Sequence, residues 1–354
     1  MFLSDPYIKS LRKKLTTATQ TISSQNEVLK TETAVDRLIF EYLTDKDMSS
    51  VLSELELDQS YIEPQWRYLD EPAKIGGSGY VAWIVYDMLT SSAIRGPAAS
   101  EIYKAETKSA DVIKNLMKDG MVLHDQSKVN SYVKDYILNI SAMLCLVDTT
   151  DATDKQMITL QRSIQAEGYF PYVKPNRLVR LLDEILPSKY VQKIIGDRST
   201  RFYDVSHHCY ILLCILLRLQ KNPKDEHAIN IIHSALPFVV NLVLNENLFR
   251  GEPEATYPRF CNFGDVTAYF ILLRCFYLCH ELDLPVDDLA KEKLAAKVLN
   301  VLDEWEFCYT PIDNNSNSKG FVLPAIWMDK KYKLYHLKIM LEASSHQNIL
   351  QVKS

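Results

Sequence analysis

The residues best suited to chemistry sit in two related strings. One reads "RFYDVSHHCYILL", Arg201 to Leu213, and the other "RFCNFGDVTAYFILL", Arg259 to Leu273. Asp204, His207, His208 and Asp265 are the candidate catalytic groups, because carboxylates and imidazoles facing one space make a general acid–base set. Each aspartate also directly precedes a long apolar run, where it would cap a helix. His207 and His208 fall in a first helical turn, where the positive end of the helix dipole lowers an imidazole pKa. Adjacent helical side chains diverge by about 100°, so at most one of the two rings faces a shared space. The other then packs as a hydrogen-bonded core histidine. Arg201 and Arg259 could hold an anionic group bidentately, or pair with carboxylates across a loop layer. Tyr169 and Tyr172 in "EGYFPYVKPNR" flank Phe170 beside Lys174 and Arg177. Such rings stack on sugars or fill gaps between helices. Tyr269 stands where the second string aligns with His208, and completes the substrate-binding set.

No metal site and no cofactor are expected. Cys275 and Cys279 share a helix face with His280 adjacent, and Cys261 lies upstream. They sit among Leu and Phe, so packing accounts for them better than zinc. The sequence has no Walker loop, dinucleotide-binding glycine fingerprint, nucleophile elbow or zinc-protease histidine pair.

The composition is ordinary for a globular protein. Formal net charge is −5 with no basic block, which disfavours nucleic acid as the main partner. The apolar runs "CYILLCILL" and "ALPFVVNLVL" are too short to span a bilayer. The N-terminal twenty residues hold no signal-peptide core. The seven cysteines are an odd number and lie mostly within apolar runs. Reduced, buried thiols and a cytoplasmic location are therefore expected.

The elements that must position these residues are helices almost throughout. Asp5–Leu43 predicts one or two helices, interrupted near the polar "TTATQTISSQNE". A further helix is expected from Met48 to Leu57, and a long aromatic loop over "YIEPQWRYLDEPAKIGGSG". A unit then recurs: a helix, an acidic or amide residue, Gly or Asn, an apolar residue, a loop and a very apolar helix. Its turns are "KDGMVLH", "AEGYFPY", "NENLFRG" and "SKGFVLP", with Gly or Asn suited to left-handed closure. The apolar helices are "SYVKDYILNISAMLCL", "DVSHHCYILLCILLRL" and "DVTAYFILLRCFYLCH". Asp204 and Asp265, like Cys214 and Cys275, lie 61 residues apart, a repeat that fits a helical hairpin with its loops. "DDLAKEKLAAKVLNVLDEWEF" has one apolar stripe, Ala290, Leu294, Val298, Val301 and Trp305, opposite charges. Cys209–Leu217 and Phe270–Leu278 are apolar almost all round. Half-buried helices alternating with buried ones predict two concentric layers: an all-α, α/α toroid forming a single domain. Residues 1–60 supply N-terminal helices and 61–354 the hairpins. A superhelical solenoid is the competing arrangement.

The order helix, "EGYFPY", loop, "YDVSHHCYILL" resembles the six-hairpin toroids of glycan-active hydrolases, lyases and epimerases; the terpenoid-cyclase toroids are similar in architecture. The resemblance is one of pattern, from about Gly76 onward. It implies an active-site funnel at the N-terminal ends of the inner helices and a small-molecule or oligosaccharide ligand. The expected function is acid–base chemistry on a saccharide. A non-catalytic binding or scaffold protein and a metal-free terpenoid cyclase or isomerase remain as alternatives. The aspartate-rich motifs of metal-dependent terpene cyclases are missing.

Overall fold

In the computed structural model, the described residues are 2–25, 34–54, 84–91, 99–115, 136–147, 151–171, 173–174, 177–187, 190, 194, 199–201, 203–245, 258–304 and 330–351. They are all-helical apart from one two-residue antiparallel ladder. In chain order the elements are α1 (Asp5–Gln25), α2 (Ala34–Leu43), α3 (Ser49–Glu54), α4 (84–91), α5 (Ala99–Asn115) and β1 (Tyr136–Ile137). There follow α6 (Leu138–Val147), α7 (Asp151–Ser163), β2 (Val173–Lys174) and α8 (Arg177–Ile185). The chain continues with α9 (Val205–Lys221), α10 (Glu226–Leu244), α11 (Pro258–Glu281), α12 (Asp288–Glu304) and α13 (Lys330–Gln351).

Helix α1 runs unbroken through the polar stretch at which an interruption was expected, as far as Gln25. Thr16, Thr17, Thr19 and Thr21 each donate a hydroxyl to the carbonyl four residues back. Threonine thus satisfies itself on the helix instead of competing with it. The second expected helix forms as α3, capped by Asp47, whose carboxylate accepts from the backbone N–H and hydroxyl of Ser49. The long loop "YIEPQWRYLDEPAKIGGSG" lies outside the described residues.

Among the expected closing turns only "AEGYFPY" is described. Gly168 there has φ +96°, and a Cβ at this position would lie 2.7 Å from the Ser234 carbonyl oxygen. Both facts require glycine. Helices α2 and α11 are closed instead by aspartates in the left-handed region, Asp45 (φ 55°) and Asp283 (φ 54°). Aspartate is one of the few non-glycine residues that adopt this conformation. The expected helix over "SYVKDYILNISAMLCL" begins only at Leu138, because Tyr136 and Ile137 pair with Lys174 and Val173.

The apolar helices are buried as expected. Cys209–Leu217 of α9 and Phe270–Leu278 of α11 are buried on every side, whereas α12 buries the stripe Ala290, Leu294, Val298 and Val301. Helix α9 packs against α6, α10 and α11, and α11 also packs against α12 and α13. Helices α7, α10 and α12 lie side by side, with α1 against α12 and α13, and α2 against α13. One apolar core runs from α1 to α13, so the N-terminal helices are packed into it. Cys145, Cys209, Cys214, Cys275 and Cys279 are buried there, and none of the five is in a disulfide. Among the described residues one helix, α10, is long and apolar enough to cross a membrane. Its outward positions are Asn230, His233, Ser234, Pro237 and Asn241, while Ile231, Ile232, Val239 and Val243 face the core.

Candidate functional site

At the start of α9 the expected residues are tied tightly to the protein itself. Asp204 is the N-cap: its carboxylate accepts the His207 backbone N–H at 2.9 Å and lies 2.9 Å from His207 Nδ1. Burial works to raise its pKa, but the His207 imidazole and backbone N–H bonds outweigh burial and hold it below the usual carboxylate range. His208 is fully buried. Its Nδ1 accepts the Phe170 backbone N–H at 3.2 Å, and Nε2 lies 3.3 Å from the Ala235 carbonyl. That pairing puts the proton on Nε2 and engages both ring nitrogens. Burial pushes the imidazole down to about 4, against the weaker opposing effect of the Ala235 bond. His208 is therefore a neutral, hydrogen-bonded core histidine.

The "EGYFPY" turn is held by the same node. Phe170 and Phe238 each lie 5.3 Å from the His208 ring, and Tyr169 packs on Tyr203 and Phe238. The Tyr169 hydroxyl donates to the Thr200 carbonyl, and burial pushes the phenol up to about 12. Arg201 turns toward Asp183, donating to its backbone carbonyl and to that of Leu186 at 3.4 Å. The buried Asp183 carboxylate also accepts from Ser199 and Thr200. Arg201 thus pairs across the loop layer.

The two strings are not structurally equivalent. Helix α11 starts at Pro258, a residue favoured at a first helical position, so Asp265 lies inside the helix body and is not its N-cap. The side chains of Arg259 and Asp265, and all of Tyr172, lie outside the described residues. Tyr269 is buried on α11. Cys275 and Cys279 are buried, Cys275 donates to the Cys209 carbonyl, and burial drives its thiol well above the usual range, while the side chain of Cys261 lies outside the described residues. Among the described residues no group of three His, Cys, Asp or Glu could hold a metal ion.

Among the described residues a dense polar cluster lies elsewhere, between α4, α11 and α13. Arg274 grips Asp87 with two parallel bonds, Nη1 to Oδ2 and Nη2 to Oδ1, both at 2.7 Å. Tyr335 donates to Asp87 Oδ2 at 3.0 Å, Ser91 donates to Oδ1 at 3.2 Å, and Arg274 also reaches Ser91 at 2.8 Å and His336 Nδ1 at 3.3 Å. Asp87, Tyr335 and His336 are fully buried and Arg274 nearly so. The Tyr335 and His336 rings stack at 4.1 Å, with Tyr332 edge-on to His336 at 5.3 Å. Burial lowers the Arg274 pKa, but the Asp87 charge outweighs it, so the guanidinium stays charged. Burial and the adjacent Arg274 hold His336 neutral, and burial and Asp87 keep the Tyr335 proton in place. Chemically this is a fixed carboxylate, a protonated phenol sharing its hydrogen with that carboxylate, and an uncharged imidazole. The available signal was one arginine in "FILLRCFYL" and one aspartate in "AWIVYDML". A lone charge in a run that is apolar all round must find a partner.

No family model matches this chain, and no curated protein or solved structure matches it either.

Proposed function

We propose that this chain is an α/α toroid that binds a saccharide near its axis and acts on it by acid–base chemistry. The observation that carries the reading is the convergence of Asp87, Arg274, Tyr335 and His336 from three separate helices. Two further features support it. Neighbour relations run from α2 through α3, α5, α6, α9, α11 and α13 and return to α2. A solenoid would leave its terminal helices apart, so this circuit favours the toroid. The described connections from one helix to the next at 148–150, 222–225 and 282–287 are all short, as in helical hairpins. On a toroid built of such hairpins, a funnel would open at the other end, at the starts of the inner helices.

On this reading the polar centre is displaced from Asp204, His207 and His208, whose groups serve the local fold, to the axial cluster. Tyr335 is the hydroxyl that shares its hydrogen with Asp87, and His336 is an uncharged imidazole beside them. The second reading, a non-catalytic scaffold, is favoured by one specific feature: both Asp87 oxygens are already engaged inside the protein.

A thermal-shift screen with uronic-acid oligosaccharides, neutral oligosaccharides and prenyl diphosphates separates these readings. Ligand that binds only the folded state raises the melting temperature by linkage. A rise with a saccharide, lost in Tyr335→Phe and accompanied by turnover, is the expected result. A rise with prenyl diphosphates alone would replace the substrate class. No rise with any of the three leaves the scaffold.

A further inference from the structure

Among the described residues seven large apolar side chains lie exposed, and five of them fall in one stretch between α7 and α9: Leu178, Leu181, Ile185, Tyr190 and Ile194. Helix α8 explains the pattern, because it has three faces. Val179 and Asp183 are buried, with Leu182 and Leu186 packed around Val179. Arg177, Arg180 and Glu184 form a charged, exposed face. Between these two faces lie Leu178, Leu181 and Ile185, exposed by 61%, 54% and 66%. At about 100° per residue, these three fall within a single arc of roughly 60°. They form one aliphatic stripe in contact with water, which asks for a cover.

The charge around it is distinctive. The chain as a whole has formal net charge −5, yet Lys174 to Arg201 carries seven Lys and Arg against three Asp and Glu. One of the three, Asp183, is occupied by Arg201, Ser199 and Thr200. On the charged face Arg180 pairs with Glu184 at 3.5 Å, which leaves Arg177 as its surplus charge, and an aliphatic stripe within so basic a stretch is the pattern of a helix lying in the plane of a membrane surface. Anionic headgroups attract such basic residues. A second copy of the chain would oppose one basic segment to another, which charge disfavours.

We propose that α8, with the exposed Tyr190 and Ile194 that follow it, forms an interfacial docking surface for an anionic lipid bilayer. Leu178, Leu181 and Ile185 enter the headgroup–acyl boundary, while Arg177 and Arg180 meet the headgroups. The surface is independent of the axial cluster and stands whether or not a saccharide binds there.

The test is co-sedimentation of the full chain with vesicles of pure phosphatidylcholine and of phosphatidylcholine with 30% phosphatidylserine. Binding to the second at least tenfold tighter than to the first, and weakened by 0.5 M salt, is expected. The Leu178→Gln/Leu181→Gln/Ile185→Gln variant and the Arg177→Glu/Arg180→Glu variant should each lose it, with unchanged circular dichroism and melting temperature because these side chains are exposed. Equal binding to both vesicle types, no binding to either, or full binding by either variant would overturn the proposal. So would a wild-type dimer in light scattering that the glutamine variant dissociates without any vesicle binding, since the stripe would then belong to a second copy. If a variant unfolds, the single changes Leu181→Gln and Arg180→Glu replace it, with at least threefold weaker binding expected.

Discussion

The start of α9 and the Asp87–Arg274 cluster both bury polar groups, yet they solve the problem in opposite ways. His208 is kept uncharged and is satisfied by two backbone groups, the Phe170 N–H and the Ala235 carbonyl. Its partners belong to the preceding turn and the following helix, so it fixes a local crossing. Arg274 stays charged and pairs with Asp87 from a position 187 residues away. The first arrangement needs only hydrogen bonds. The second needs an opposite charge, because a buried ion left alone is far more costly than a buried neutral group. The lesson is that a polar residue in an apolar helix can be neutral and local or ionic and long-range, and pKa direction distinguishes the two.

The contrast can be broken at its strongest point first. Asp87→Ala leaves a buried guanidinium without its partner and should cost about 3–5 kcal/mol in urea denaturation. Adding Arg274→Met removes the orphaned charge, so the double variant should be more stable than Asp87→Ala alone. Additive losses in this cycle would mean that the pair is not coupled.

At the other pole, His208 carries the pH dependence. Its native pKa of about 4 lies below the ordinary 6.5, so the unfolded chain takes up a proton first as pH falls. The stabilisation is complete above pH 6.5 and is lost between about 6.5 and 4, by at most about 3 kcal/mol. His208→Gln should flatten this part of the stability–pH curve. An unchanged slope would assign the titration to another group, with the equally neutral His336 the first to test.

The smallest effect sharpens the role of Asp204. If it acts only as a cap, Asp204→Ala should cost about 1 kcal/mol and Asp204→Asn only a few tenths. A saccharide-dependent activity abolished by Asp204→Asn, with stability retained, would return the catalytic role to the α9 start.

Much of the scaffold was legible because it depends on local rules. The all-round apolar runs of α9 and α11, the one-sided stripe of α12 and the glycine at 168 follow from period, burial and backbone conformation. The echo of the two strings misled at one point. Matching letters at Asp204 and Asp265 suggested two caps, but α11 begins seven residues earlier, at Pro258. Asp45 and Asp283 escaped notice because aspartate is a common residue and only its φ reveals its use. The Asp87–Arg274 cluster escaped because pairing across 187 and 248 residues has no periodic signature. Two lone charges in apolar helices were visible, but only the fold could match them.

The same long-range partnerships govern how the chain comes into being. Asp87 is synthesised well before Arg274 and Tyr335, and Tyr42 waits for Glu342, 300 residues later. At ribosomal rates of about 5–20 residues per second, α2 and α4 spend on the order of ten seconds or more without the helices that bury them. During that interval their aliphatic faces and one isolated carboxylate have only water or a chaperone for company. Assembly thus waits on the arrival of α13, which makes the nascent chain, rather than the finished protein, the form most exposed to aggregation.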